Sequence, residues 1–219
     1  MGLSTADIAA VVAELAPAVA TGWIQKIHQP DPDTLTLEVR RPGRTLTLLI
    51  STDPAMARLH LTDQPPPNPP SPPPFCQFLR AHVQGARIDA IAQVPDDRIV
   101  RLALTTREGP RTLVAELTGR YANLLLLNER ETIVAGLHEM RDRLNHIYQP
   151  PAQPAQAGPA SRDSSFTPDP AQPFPVSAAI DAHYRRHGTE TANTRLRQDR
   201  KSTRLNSSHV SESRMPSSA

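Results

Sequence analysis

The 219-residue chain is long enough to bury a hydrophobic core, and it combines 24 prolines with nine glycines and a formal net charge of +2. Scarce glycine without a triplet period excludes a collagen helix, and the lack of an apolar run of about 20 residues excludes a membrane-spanning helix. The single cysteine, Cys76, excludes a disulfide framework and a cysteine-rich metal site. The first residues show no secretory signal, so we expect a cytoplasmic protein.

Residues 4–20 are predicted to form the first helix. Ser4 is the expected N-cap, and Asp7, three positions later, completes a capping box. The apolar residues that recur at helical spacing are Ile8, Val11, Val12, Leu15 and Val19. Pro17 is expected to fray or kink the last turn, and Gly22 to occupy the position just after the helix end.

From Trp23 onward the hydrophobic period changes to two, which predicts strands. The predicted strands are 23–29, 35–39, 45–50, 57–62, 86–94, 98–106, 111–117 and 122–128, with 132–140 as a candidate for one more. Residues 75–85 and 176–187 instead show a helical apolar face. This pattern predicts an α+β fold, in which a mostly antiparallel sheet or sandwich is flanked by helices.

Two proline clusters, in residues 65–74 and 150–175, must lie outside helices and central strands. We therefore expect an α+β domain over 1–149, a linker over 150–175 and the start of a further helical region over 176–200. Residues 201–219 have seven serines and no hydrophobic period. They resemble a translated sequencing adapter, so we expect a non-native tail on a truncated chain, the alternative being a natural disordered C-terminus.

Sequence motifs of catalysis are missing: the chain has no Walker loop, GxGxxG, GxSxG or HExxH. His183 and His187 have a spacing that could hold a metal, but no neighbouring carboxylate completes a ligand set, which favours a surface pair. We expect no catalytic residue, no metal and no cofactor. Arginine makes up 22 of the 24 basic residues, which suits an RNA partner, although codon preference in a GC-rich genome explains the bias more simply.

Four short segments with distinctive combinations of residues occur in order along the chain. They are WIQKIHQP (23–30), FCQFLRAH (75–82), DDR (96–98) and ELTGRYANL (116–124). Together, and with the helix start VSAAIDAHY (176–184), they resemble the NFACT-N domain family, the group that includes RqcH, NEMF and fibronectin-binding protein A. The resemblance covers residues 3–187.

The resemblance implies a cytoplasmic, ribosome-associated factor without a membrane partner. Such a factor binds the large ribosomal subunit that still carries stalled peptidyl-tRNA, recruits alanyl-tRNA and promotes untemplated C-terminal alanine tailing. It is not expected to be an enzyme, because the ribosome performs the peptidyl transfer. The older family name leaves a fibronectin-binding surface adhesin as an alternative, which would require export.

The family fold also resembles the N-terminal domain of formamidopyrimidine-DNA glycosylases. Those enzymes attack with an N-terminal proline amine, whereas this sequence begins Met1-Gly2-Leu3. A glycosylase-like nucleic-acid-binding domain without lyase activity is therefore a third, weaker alternative.

The resemblance assigns tRNA handling to particular residues. Asp97 and Arg98 match the family's Asp-Arg pair, in which the guanidinium could fork onto a phosphate or base edge while the carboxylate orients it. The residues alone favour a turn aspartate beside a solvated arginine, and the motif context reverses that preference. Asp7 matches a first-helix aspartate that affects tailing, in addition to its capping role, and Arg120 and Asn123 match the family's GRHSN stretch.

Two further cations, Lys26 and Arg80, are candidate phosphate contacts, although solvated positions explain them equally well. Tyr121 and Ala122 replace a histidine and a serine of the family pattern, which puts any role of that histidine in doubt here.

Overall fold

A computed structural model describes residues 2–138, 140, 142–151 and 164–186. The chain divides into two compact units, Met1–Asp181 and Ala182–Ala219. In the second unit the described residues, 182–186, are helical. The predicted tail, 201–219, and His187 lie outside the described residues, as does most of the first half of the predicted linker.

The described secondary structure is an antiparallel sheet with helices. The helices are α1 (Thr5–Val19), α2 (Pro74–His82) and α3 (residues 175–186), and a 3₁₀ turn spans Gly119–Tyr121. The strands are β1 (Trp23–Asp31), β2 (Thr34–Arg41), β3 (Arg44–Ser51), β4 (Arg58–Thr62), β5 (Arg87–Gln93), β6 (Ile99–Thr106), β7 (Gly109–Glu116), β8 (Asn123–Leu127) and β9 (Ile133–Gly136). The predicted α+β class is confirmed.

The nine strands form one sheet in the order β4-β3-β2-β1-β5-β6-β7-β8-β9. Sequential neighbours pair antiparallel on each side, β1 to β4 as one ladder and β5 to β9 as another. The two ladders join where Trp23 of β1 pairs with Arg87 of β5. A tight turn joins β2 to β3, with Gly43 in the left-handed region at φ 77°.

Helix α1 begins as predicted and ends differently. The Ser4 hydroxyl accepts from the Asp7 amide and the Asp7 carboxylate accepts from the Ser4 amide, which closes the capping box. The helix runs through Pro17 to Val19. Gly22 was predicted as the residue that ends the helix, and this prediction is wrong: the left-handed residue just after the helix is Thr21, at φ 62°.

Gly22 is required by the close approach of the Val39 side chain and the Val19 carbonyl rather than by its φ angle. A Cβ atom at this position would lie 2.5 Å from Val39 Cγ1 and 2.9 Å from the Val19 carbonyl oxygen. Replacing Gly22 with alanine is therefore expected to cost about 1–3 kcal/mol of unfolding free energy through overpacking. Urea unfolding followed by circular dichroism measures this cost. Gly43→Ala serves as a contrast, because open space surrounds that position and the alanine would be strained only in its backbone conformation.

The beginning of α3 covers β4, the strand at one edge of the sheet. The Glu14 carboxylate of α1 accepts the amides of Val176 (2.7 Å) and Ser177 (2.9 Å), which places negative charge at the helix N-terminus. The Ser177 hydroxyl accepts the Leu61 amide at 3.0 Å, and Asp181 contacts both His60 and Thr62. These contacts satisfy polar groups of an edge strand that would otherwise face solvent.

Candidate functional site

Three segments of the chain meet at one end of the sheet, where β5 ends and β6 begins. The side chain of Gln93, the last residue of β5, donates to the carbonyl of Thr5 at 3.1 Å and to the carbonyl of Asp97 at 2.7 Å. One amide group thus joins the N-terminus of α1 to the β5–β6 turn. The third segment, residues 164–166, reaches the same helix start through Asp7.

The β5–β6 turn holds Asp97 and Arg98 in a defined backbone geometry. Asp96 adopts the left-handed region at φ 56°, and the Asp97 carboxylate accepts the Arg98 amide at 2.6 Å. The Arg98 carbonyl accepts the Leu117 amide at 2.8 Å, which ties the turn to the end of β7. The structure therefore fixes both backbones of the predicted pair.

The Arg98 side chain differs from its neighbours because its guanidinium is not engaged. Across the described residues, no side chain or carbonyl forms a hydrogen bond or ion pair with it, and the residue is half-buried. Its five N–H donors in a planar fork match the oxygens of a phosphate or the edge of a base. The turn is thus able to bind an anionic ligand at a fixed position.

Asp7 is buried at the start of α1, with an exposed fraction of 2%. Its carboxylate accepts from Ser4, from the Ser164 hydroxyl at 2.9 Å and from the Ser165 amide at 2.7 Å. Burial raises the pKa of Asp7, but these hydrogen bonds outweigh it and hold the pKa below its usual value. The structure places Asp7 as the group that joins α1 to the segment at 164–166.

The GRYAN stretch, residues 119–123, contains one exposed and one buried candidate residue. Arg120 is exposed and its guanidinium lies 4.6 Å from the Tyr121 ring centroid. Asn123 is buried, and its side-chain oxygen accepts the amides of Leu124 (2.8 Å) and His138 (3.0 Å). The structure therefore places Arg120 on the surface and Asn123 among the groups that hold the loop after β9.

Arg120 follows β7 at a short distance along the chain. Leu117, whose amide donates to the Arg98 carbonyl, precedes Arg120 by three residues, so the Cα atoms of Leu117 and Arg120 are within about 11 Å of each other.

Lys26 and Arg80 are not brought into this cluster. The Lys26 ammonium pairs with Glu38 at 3.1 Å across β1 and β2. The Arg80 guanidinium donates to the Ile27 carbonyl at 2.8 Å and contacts His28 Nδ1 at 3.3 Å. Arg80 thus attaches α2 to β1, and Lys26 is part of a surface ion pair.

Sequence reasoning did not identify Gln93, Ser164 and Ser165 as parts of this arrangement. The two serines are more than 150 residues from Asp7 along the chain and follow no periodic pattern, so no local signal could find them. Within the described part of the chain, no group of three or more His, Cys, Asp or Glu side chains could hold a metal ion.

Comparison with known proteins identifies the family to which this chain belongs. The family model for NFACT N-terminal and middle domains matches residues 4–163. The chain belongs to this family, which confirms the predicted resemblance.

Curated relatives carry names from ribosome quality control. RqcH of Bacillus subtilis, an Rqc2 homolog, is 35% identical over 138 residues, which are 60% of this chain and 24% of RqcH. The human ribosome quality control complex subunit NEMF is 26% identical over 144 residues, 66% of this chain and 13% of NEMF. The chain therefore spans about a quarter or less of these relatives.

Solved structures with the same fold carry different names. The fibrinogen-binding protein of Staphylococcus aureus superposes with a TM-score of 0.62 and 29% identity over 68% of this chain and 56% of that chain. The N-terminal domain of the fibronectin-binding protein PavA of Streptococcus pneumoniae gives a TM-score of 0.61 and 30% identity over 68% of this chain and 64% of that chain. In the described residues, no helix is long and apolar enough to cross a membrane.

Proposed function

We propose that this domain binds tRNA within a ribosome quality control factor. In this proposal the factor associates with the large ribosomal subunit that carries stalled peptidyl-tRNA, recruits alanyl-tRNA and promotes untemplated alanine tailing in the cytoplasm. The family match and the RqcH and NEMF relatives support the setting. The ribosome performs the peptidyl transfer, and the domain positions RNA without contributing catalytic groups.

The observation that carries the proposal is the Arg98 guanidinium, which has no hydrogen-bond or ion-pair partner among the described residues and lies on a hydrogen-bonded turn. A positioned arginine contributes to RNA affinity most when its backbone is fixed and its donors have no competing partner. Asp97 caps the Arg98 amide and keeps one carboxylate oxygen for orienting the fork or accepting from a base amine. Arg120, on the surface three residues after Leu117, is a second cation that the same RNA could reach.

The other predicted contacts take different roles in this proposal. Asp7 supports the site by holding the start of α1, and Asn123 by holding the loop after β9. Lys26 and Arg80 lie on β1 and α2, where they would contact phosphates only if the RNA extended over those elements.

The direct test measures tRNA binding with the Asp-Arg pair removed. The double variant Asp97→Ala, Arg98→Ala is expected to bind tRNA about tenfold more weakly, because a fixed fork contributes on the order of 1–3 kcal/mol. Fluorescence anisotropy of labelled tRNA at several salt concentrations measures the affinity, and the salt dependence should also become shallower. Arg130→Ala is the matched control, since Arg130 is an exposed arginine on the β8–β9 turn.

Two further variants separate the roles within the pair. Arg98→Lys keeps the charge but loses the fork, so a binding loss close to that of Arg98→Ala indicates bidentate contact. Asp97→Asn keeps an acceptor for the Arg98 amide and should retain the turn. Unchanged tRNA affinity in the double variant, with the fold intact by circular dichroism, would contradict this site assignment.

A second candidate function is binding of an extracellular matrix protein, favoured by the names of the two solved structures. Cell fractionation distinguishes the candidates, because an adhesin must reach the cell surface. Binding to immobilised fibronectin that is insensitive to Asp97→Ala, Arg98→Ala, together with surface localisation, would favour the adhesin. The further likeness to a glycosylase N-terminal domain stays a prediction.

A further inference from the structure

A basic groove lies at the other end of the sheet from the Asp97–Arg98 turn. It has a volume of about 800 Å³, and its lining includes Trp23, Arg40 and Arg107 together with residues at the C-terminal end of α2. Strand β6 leads from the turn to this groove, and its eight residues separate the two by about 23 Å. The groove is therefore separate from the Asp97–Arg98 turn, although Arg80, a predicted phosphate contact, is part of its lining.

An exposed tryptophan forms one wall of the groove. Trp23 begins β1 and pairs with Arg40 on β2 and with Arg87 on β5, so the three side chains leave the same face of the sheet in one row. Its exposed fraction is 55%, although β1 is an interior strand of the sheet. A large aromatic surface left in water between two arginines gains free energy when a planar apolar group covers it.

The groove carries more positive than negative charge. Arg40 uses one guanidinium nitrogen to donate to the Thr45 hydroxyl at 3.1 Å, a neutral partner that leaves its charge uncompensated. Arg107 is exposed, and in the described parts of the chain no carboxylate pairs with it. The carboxylate at the groove, Glu108, is already bound by His82 at 3.0 Å and by Arg111 at 2.8 Å.

We propose that this groove binds an unpaired nucleotide of single-stranded RNA, its base stacked on Trp23 and its phosphate held by Arg40 and Arg107. An aromatic platform beside forked cations is the arrangement by which proteins bind unpaired bases and their backbone. The positive charge of the groove would also attract an acidic peptide, so charge alone does not exclude one. Shape disfavours it, because the cross-strand partners of the half-exposed Trp23 indole are arginines and offer no apolar surface for a peptide side chain. The choice of RNA over DNA as the ligand rests on the proposed function. The existence of a stacking site at Trp23 does not depend on that function.

The single tryptophan makes the test direct, because all tryptophan fluorescence of the chain comes from Trp23. Titration of the 219-residue chain with a uridine octamer at low salt is expected to quench this fluorescence to saturation. Anisotropy of the labelled octamer should then show Trp23→Ala binding about 5- to 100-fold more weakly and Trp23→Phe in between. Arg40→Ala and Arg107→Ala should each reduce the salt slope by about one.

The controls separate this groove from the tRNA site and from other occupants. Arg130→Ala should leave octamer binding unchanged, and so should Arg98→Ala, which is expected to weaken tRNA binding only. Absence of quenching would overturn the proposal, and so would an octamer affinity in both Arg40→Ala and Arg107→Ala equal to that of the native chain. Tighter binding of poly-glutamate or of a DNA octamer than of the RNA octamer would overturn the assigned occupant. Arg40 and Arg107 are exposed, so their variants keep the test valid even if Trp23→Ala destabilises β1.

Discussion

Arg143→Ala is expected to destabilise the fold by about 3–5 kcal/mol, although Arg143 lies outside the candidate site. Its two terminal nitrogens donate to the two carboxylate oxygens of Glu116, at 2.9 and 2.7 Å, and Glu116 is completely buried at the end of β7. Removing the guanidinium leaves a buried carboxylate without its counter-charge, which is the costly way to break such a pair. Urea unfolding at pH 7, followed by circular dichroism, measures the loss.

A neighbouring arginine provides the matched control. The Arg101 guanidinium lies 5.8 Å from the Tyr148 ring centroid, as that of Arg143 does, but its carboxylate partner is the half-exposed Glu131. Arg101→Ala should therefore cost only about 0–1 kcal/mol. Equal losses in the two arginine variants would contradict the importance of the buried carboxylate.

The double variant Glu116→Gln, Arg143→Ala tests the same idea from the other partner. The neutral amide removes the uncompensated charge, so the double variant is expected to be more stable than Arg143→Ala alone. A double variant less stable than Arg143→Ala would show that the contacts of the carboxylate, rather than its charge, determine the loss. Burial and the nearby Glu116 also raise the pKa of Tyr148, so the phenol stays protonated across this experiment.

Local sequence patterns predicted most of the secondary structure, but they did not predict the pairing of strands that are far apart in the sequence. Alternation identified the strands, and the Ser4–Asp7 spacing identified the helix start, because both depend on residues within a few positions. The joining of the two ladders at Trp23 and Arg87 involves positions 64 residues apart. No periodicity encodes that pairing, so the single nine-stranded sheet could not be distinguished from a sandwich.

Burial on both faces of a strand explains why the role of Asn123 was not visible. All five residues of β8 are buried, so the strand reads as a continuous apolar run and alternation does not tell which side chains face solvent. The family resemblance, and not this pattern, made Asn123 a candidate contact, and the structure shows that its side-chain oxygen accepts two backbone amides. The structural role of Arg80 could not be predicted either, because its position on α2 does not reveal that its guanidinium reaches the Ile27 carbonyl.

The Asp97–Arg98 turn shows the opposite case. The strand signal predicted a strand that begins at Arg98 with Asp97 in the turn before it, and in the structure the strand begins one residue later, at Ile99. The proximity of Asp7 to this turn depends on Gln93 and on residues 164–166, which the sequence pattern left unconnected. Two predicted residues are thus neighbours for reasons that only the tertiary structure contains.

Asp7→Ala is expected to cost about 2–5 kcal/mol, because one carboxylate serves two structural purposes. Loss of the capping box removes about 0.5–2 kcal/mol, and the Ser165 amide left without its acceptor adds about 1–3 kcal/mol. Ser4→Ala is the control for the first contribution and should cost about 1 kcal/mol. Thermal and urea unfolding of the three proteins separate the two contributions.

The pH dependence of Asp7 distinguishes its charge from its shape. Because the fold lowers the pKa of Asp7 below the unfolded value near 3.8, the stabilisation is present above that pH and is lost as the pH falls through the folded pKa. The stability difference between the native chain and Asp7→Asn should therefore be constant near neutral pH and shrink below pH 3.8. A difference that persists unchanged in acid would contradict the assignment.

The same variant decides how Asp7 relates to RNA binding. If the carboxylate acts only by holding α1 against residues 164–166, Asp7→Asn should weaken tRNA binding only in proportion to the fraction of chain that it unfolds. Asparagine at this position, the third of the helix, keeps a side-chain oxygen that accepts the Ser4 amide, so at neutral pH that fraction should stay small and binding should be nearly native. A binding loss as large as that of Asp97→Ala, Arg98→Ala in a folded Asp7→Asn variant would instead mean that the negative charge of Asp7 acts on the Arg98 contact itself.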